Sequence, residues 1–508
     1  MDLETIKQNK GNMILRFSIP AIISMVLTSL VTIADGFFIG NYVGKEGIAA
    51  VNLGLPIIYL YLGAGLMVSI GGMAIAGMAY GSGDKEACNQ AFRQTVMTTA
   101  AVSALISCIM IFCFQPLLSV QQAEEPVIRY FQEYYRIMLL ELPVTVINSG
   151  LGMFIRGEGN PAYCMKVSIL NVLLNIILDY LSAGCFNGGI AGIAVSSLLS
   201  AFVSLACILY FFVRKAKVYR LGRFRFSGKL CIRSVLNGSS EFIGEMATGI
   251  AMFAYNYVIM RKIGVDGVTA FTIAGYVSFV FNMVIIGFGQ GAGPLISFCW
   301  GAEEKKLAAD IRKRTNRYVL LAGAAFFLLM AAGMDWYSRI FVRSEAVGKM
   351  IRSGMLIFIT SFFPAGVNSI ASFYFTASGR AVPSAVISFS RGLLILLICI
   401  FTLPALFGMT GVWMAAPVTE MQAEIPPLFR AVKNPDANRL KPASRKENAN
   451  RWKACVVSLY RSASYPTNIS ARGADRQTAR QVSRMPEPSI NTVLLRSIFL
   501  SSAWFPAP

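Results

Sequence analysis

The apolar stretches of this chain are too long for a water-soluble fold. Eleven of them lie near residues 14–38, 48–79, 91–114, 131–154, 162–184, 189–213, 232–260, 268–299, 317–336, 350–376 and 383–407. A helix needs about 20 mostly apolar residues to cross a bilayer. Backbone polar groups in hydrocarbon must be satisfied within the segment, so unbroken apolar runs of this length fold as helices. Only 14% of the 508 residues are charged, against about 25% in soluble domains. The expected class is an all-α integral membrane protein, its solvent the lipid bilayer.

Loop charge sets the orientation. Residues 214–233 hold Arg214, Lys215, Lys217, Arg220, Arg223, Arg225, Lys229 and Arg233 without an acidic residue. By the positive-inside rule this loop is cytoplasmic. Counting back six helices places the N-terminus there too. The 115–136 loop with Glu124, Glu125 and Glu133 then falls outside, and the basic 302–317 loop inside. The net charge of +20 is thereby explained without a nucleic-acid partner; residues 421–508 alone carry 14 Lys/Arg against 5 Asp/Glu.

The chain repeats itself. A shift of 220 aligns Gly44-x-x-Gly47-x-x-Ala50 with Gly264-x-x-Gly267-x-x-Ala270, Tyr80-Gly81-x-x-Asp84-Lys85 with Trp300-Gly301-x-x-Glu304-Lys305, and Asn148-Ser149 with Asn368-Ser369. Six helices per half is an even number, so both halves face the same way, related by an axis along the membrane normal. The reading is a first lobe over 1–215, a basic cytoplasmic linker over 216–231, a second lobe over 232–420 and a polar, basic, disordered tail over 421–508. A twelfth helix starts at Gly408, because Gly408-x-x-Gly411 matches Gly189-x-x-Gly192 at a shift of 219. It reads as cut short after Glu420, where charges and the pair Pro426-Pro427 oppose a membrane helix.

Carboxylates inside a membrane are expensive and mark functional candidates. Asp35 and Asp179 sit late in the first and fifth helices, at similar depth. Asn171, Asn175 and Asp179 form one stripe at i, i+4 and i+8. Ser196 and Ser197 come two turns into the descending sixth helix. Such a set can bind Na⁺ or hold a proton; alternatively the acids cap helix ends at the interface. Glu241 and Glu245, i and i+4 on the seventh helix, face either a cationic substrate or basic groups at the cytoplasmic mouth. Pro20 interrupts the first helix and makes either a hinge or a static kink. With no His, proton or cation chemistry falls to carboxylates, amides and hydroxyls. The ten Cys read as packing residues. No Gly-Lys-Ser/Thr phosphate loop occurs, which disfavours an ATP-driven pump, and no enzyme signature or cofactor site is expected.

Ser18-Ile-Pro20, Asp35-Gly36, Gly40, Gly47-Ile-Ala-Ala50, Ile155-Arg156-Gly157-Glu158-Gly159-Asn160-Pro161, Asn175-Ile-Ile-Leu-Asp179 and Gly189-Ile-Ala-Gly192-Ile-Ala194 together resemble the MATE (multidrug and toxic compound extrusion) transporters over about 1–420. The resemblance implies twelve helices in two lobes around a V-shaped cavity. It implies export of organic cations or amphipathic drugs in exchange for inward Na⁺ or H⁺. By position it implies a cation site at Asp35, Asn175 and Asp179 with the Ser197 hydroxyl, and a helix that bends at Pro20. Some branches use an acid in the tenth helix, where this chain has Asn368. Asn368, Glu241 and Glu245 are the substrate-cavity candidates, and Asp35 with Asp179 the candidate Na⁺ ligands. The expectation is a monomeric, multi-pass plasma-membrane antiporter. The alternatives are a flippase for lipid-linked precursors, which calls for a cationic cavity, or an inactive truncated product.

Overall fold

The computed structural model describes residues 2–121, 125–223, 225–341 and 344–423. Its first half comprises α1 (Leu3–Gln8), α2 (Lys10–Tyr42), α3 (Lys45–Leu53), α4 (Leu55–Gly81), α5 (Lys85–Gln121), α6 (Glu125–Gly157), α7 (Pro161–Asp179) and α8 (Gly189–Arg214). Its second half comprises α9 (Gly228–Asn237), α10 (Ser239–Lys262), α11 (Val265–Gly301), α12 (Lys305–Phe341), α13 (Glu345–Ile359), α14 (Phe362–Ala377), α15 (Ala381–Phe389) and α16 (Ile395–Ala423). Two π-helical turns, Tyr180–Cys185 and Ser390–Leu394, follow α7 and α15. Among the described residues no strand occurs. Residues 424–508, with most of the polar tail and the expected Pro426-Pro427 stop, lie outside the described residues.

Among the described residues, nine helices are long and apolar enough to cross a membrane, or ten if the bent pair α13 and α14 is one span. α10 falls short because Glu241 and Glu245 occupy its first turns. α16 contains a break at Gly408, whose φ of 56° and ψ of −134° are not helical. The eleventh and twelfth crossings meet there, as Gly189, φ 57°, opens α8 in the first half. The twelfth helix is present up to Ala423. Phe112, Phe253 and Leu406 are 81%, 74% and 73% exposed, as lipid-facing side chains are and soluble cores are not.

The repeat holds in the backbone. Gly44 and Gly264 adopt φ of 100° and 97°, values that favour glycine, at the same turn of each half. The halves differ where the residues differ. Gly54-Leu55-Pro56 divides one expected span into α3 and α4, whereas the counterpart Ala274-Gly275-Tyr276 lets α11 run through. In the tenth crossing, α13 and α14 bend by 41° between Ile359 and Phe362, near Pro364.

The lobes meet along a seam of small residues on the side of the basic linker. Added Cβ atoms at Gly81 and Gly301 would lie 2.0 Å from the carbonyl of Phe298 and 1.9 Å from that of Met78. A Cβ on Gly77 would lie 2.3 Å from Ser297 Oγ. Residues 77 and 297, and 81 and 301, are repeat counterparts, so α4 and α11 cross on their own equivalent positions. The same symmetry sets Gly71 against Gly238 and Gly291 against Ser18. Backbones can approach this closely only where side chains are missing.

The linker after α8 is strapped down rather than loose. Arg93 Nε donates to Arg220 O and its Nη1 to Arg223 O, both at 3.0 Å. Asn89 Oδ1 accepts from Arg220 N at 2.7 Å. Glu158, between α6 and α7, accepts from the amides of Lys217 and Val218. Its burial raises the carboxyl above the usual glutamate range, against the pull of those amides. Hydrogen bonds to charged groups contribute about 1.5–3 kcal/mol each. The double variant Arg93→Ala, Glu158→Gln should therefore speed tryptic cleavage at Arg220–Arg225 by roughly tenfold or more. An unchanged cleavage rate would show that the linker is held by something else.

Candidate cation site and substrate wall

α7 places its polar stripe against α2 and α8. Asn175 and Asp179 are fully buried, Ser197 is 6% exposed, and Asp35 is half-buried. Asn175 Nδ2 donates to Ser197 Oγ at 3.2 Å, and Ser197 Oγ donates to Asp35 Oδ2 at 3.3 Å. The Asp35 and Asp179 carboxyls are close neighbours. Ser196 lies beside Asp179 and gives its hydroxyl to Gly192 O at 3.0 Å. Asp179 is the last α-helical residue before a π-helical turn, an irregularity that re-aims side chains and is frequent at functional sites.

Donors are scarce here. Asp35 Oδ1, Asn175 Oδ1 and both Asp179 oxygens are buried without a hydrogen-bond partner. Among the described residues no Lys or Arg pairs with either acid; the ion pairs lie elsewhere. Two facing carboxylates with unsatisfied oxygens in a low-dielectric site need a positive charge between them. A hard cation with oxygen ligands, or a shared proton, fits that need. All four residues expected from the sequence are thus brought together, with Asn171 one turn below, accepting from Ser204 Oγ at 2.9 Å.

Two neighbours stand beside the site: Tyr134, which no sequence signal assigns to it, and Glu141, an intramembrane carboxylate next to Pro143 and the weakest of the acidic candidates in the sequence. Tyr134, 3% exposed, lies within the field of Asp35, Asp179 and Glu141. Glu141, 7% exposed, accepts from Thr145 Oγ1. Pro20 lies in α2 on the side of the seam, between Ser18, which abuts Gly291, and Ile22, which abuts Gly287. Its carbonyl accepts from Ser24 Oγ at 2.9 Å. Any bend at Pro20 therefore moves the seam.

Glu241 and Glu245 are half-buried on α10. A Cβ at Gly63 of α4 would lie 3.1 Å from Phe242 and 3.3 Å from Glu245, so this face of α10 looks across the seam at the first lobe. Neither acid forms an ion pair with Lys or Arg within 4.0 Å among the described residues. Asn368 is fully buried inside the second lobe, where Nδ2 donates to Glu420 Oε2 at 2.9 Å.

Two parallel six-helix lobes, a polar site within one and an acidic wall on the seam define a multi-pass membrane transporter. A family model described as MatE matches residues 20–181 and 242–401, one stretch in each lobe. The chain belongs to the MatE family. A multidrug export protein, MepA, of Staphylococcus saprophyticus is 22% identical over 410 residues, covering 79% of this chain and 89% of its own. That of Staphylococcus haemolyticus is 20% identical, with 78% and 88% covered. Among solved structures, an outward-facing multidrug resistance MATE transporter of the MOP superfamily superposes with a TM-score of 0.78 at 21% identity, covering 84% of this chain and 97% of that one. A Pyrococcus furiosus MOP transporter described by the reverse polarity of its binding pocket has the same TM-score and identity, with 83% and 96% covered.

Proposed function

We propose that this chain is a plasma-membrane antiporter that exports organic cations or amphipathic drugs in exchange for inward Na⁺ or H⁺, as a monomer with its N-terminus in the cytoplasm. The observation that carries this reading is the cluster of partnerless acceptor oxygens on Asp35, Asn175 and Asp179, two acids with no built-in counter-charge. The printed names of the staphylococcal relatives support drug export. The acids on the seam support a cationic rather than an anionic substrate, and speak against the lipid-precursor flippase.

In this reading the seam is closed on the cytoplasmic side. The mobile cation reaches Asp35 and Asp179 from outside and displaces substrate. Helix α2 bends at Pro20, the contacts at Gly287 and Gly291 loosen, and the lobes rock open inward. The ion leaves, and a new substrate meets Glu241 and Glu245. Ion and substrate drive a cycle only because they favour different states. The test is efflux of a fluorescent organic cation from proteoliposomes under separately imposed Na⁺ and pH gradients. Efflux should follow one gradient and stop when it is collapsed; efflux indifferent to both would overturn the reading.

A further inference from the structure

We propose that Arg391 is a resident cation. Its guanidinium fills in the second lobe the electrostatic role that a mobile ion takes in the first, so the second lobe carries no coupling ion. This rests on the cation-site reading above.

The internal repeat locates the comparison. Asn148 Nδ2 donates to Ala201 O at 2.9 Å, tying the fourth crossing to the sixth. Asn368 Nδ2 donates to Glu420 O, also at 2.9 Å, tying the tenth to the twelfth. These partners are 220 and 219 residues apart, so Glu420 stands where the first lobe has Ala201. At a shift of 220, Arg391 stands where the first lobe has Asn171. A methyl and an amide in one lobe are a carboxylate and a guanidinium in the other.

The second-lobe pair is fully engaged. Arg391 Nη2 lies 3.1 Å from Glu420 Oε1, with side chains 21% and 13% exposed. Arg391 Nη1 donates to Ser369 Oγ at 2.6 Å, and Asn368 Nδ2 closes on the second carboxylate oxygen. Arg391 sits in the π-helical turn Ser390–Leu394. The other groups facing this pair are Tyr255 of α10, near Glu420 and itself beside Cys399 of α16, and Glu241, near Arg391. None of them is basic. Asp35 and Asp179 lack a basic partner; Glu420 has one built in. Removing one partner of a buried pair leaves a carboxylate that must find another cation or a proton.

The experiment uses the full chain in proteoliposomes. The gradient of a fluorescent organic monocation held at steady state is measured against imposed ion gradients of varied size. The slope of the two logarithms counts coupling ions and does not depend on turnover rate. Arg391→Gln should raise the slope to about twice the wild-type value, because Glu420 now takes an ion. Arg391→Gln, Glu420→Gln should restore it, and Arg391→Lys should leave it unchanged. A transporting Arg391→Gln protein with an unaltered slope would overturn the proposal. Should that variant not fold, Glu420→Gln alone decides: an unchanged slope supports the resident cation, and a fall shows that Glu420 carries an ion itself. Failure of the first-lobe reading is seen separately, as a slope that survives Asp179→Asn.

Discussion

Asp179→Asn should cut ion-driven efflux roughly 5–150-fold while leaving the lobes folded. Asp179 is fully buried, and neither of its oxygens has a partner. Replacing one oxygen by an amide therefore breaks no existing hydrogen bond. It does remove a charge from the cavity that Asp35 shares. A coupling free energy of about 1–3 kcal/mol between ion and substrate corresponds to roughly 5–150-fold in affinity. The loss of gradient-driven efflux should fall in that range. Asp35→Asn should act in the same direction with some structural cost, because Asp35 Oδ2 already accepts from Ser197. The measurement is initial efflux at fixed gradient, with substrate binding in detergent as the check on folding. Wild-type efflux in both variants would sink the site.

Gly301→Val should shift the protein toward the state in which the seam is open. The new Cβ would stand 1.9 Å from Met78 O, and backbone cannot retreat as a flexible side chain can. Overpacking of this kind costs about 1–3 kcal/mol, and each 1.4 kcal/mol changes a two-state ratio by roughly tenfold. The cost falls only on the closed seam. Gly81→Val should act alike, since its Cβ would meet Phe298 O at 2.0 Å. Gly293→Val is the control, with only the flexible tip of Met73 near it, at 3.8 Å. Spin-label distances between the linker-side ends of α4 and α11 read the outcome; identical distributions in all three variants would refute the assignment of the seam.

Much of this was legible because membrane folding obeys few rules. Span length and the 220-residue shift express constraints that act locally or along the whole lipid-facing surface. The stripe Asn171, Asn175, Asp179 was legible because helical periodicity places i, i+4 and i+8 on one face. Depth brought Asp35 level with the pair Ser196 and Ser197, and the family resemblance singled out Ser197. What stayed hidden depends on which helix faces which. Tyr134 joins the cation site only through the packing of α6 against it. Arg391 lies inside the expected 383–407 span, and nothing in the sequence names its partner until Asn368 brings Glu420 beside it. The division at Gly54 has a local cause in Gly54 and Pro56 and a second, hidden one in Tyr135 packed on the glycine, its ring 2.0 Å from where a Cβ would be. The sequence also suggested a twelfth helix ending near Glu420. The structure carries it to Ala423, held by the Asn368 and Arg391 contacts.

The crossing of α4 over α11 has a bearing on direction. Residue 77 meets 297 and 81 lies across from 301, so the contact reads the same from either lobe, as in a two-fold homodimer. A junction that treats both halves alike cannot distinguish ion from drug or inside from outside. Vectorial transport must be written in what the duplication did not preserve. On one side that is Asp35, Asn175 and Asp179; on the other it is Glu241, Glu245 and the self-neutralised Arg391–Glu420 pair.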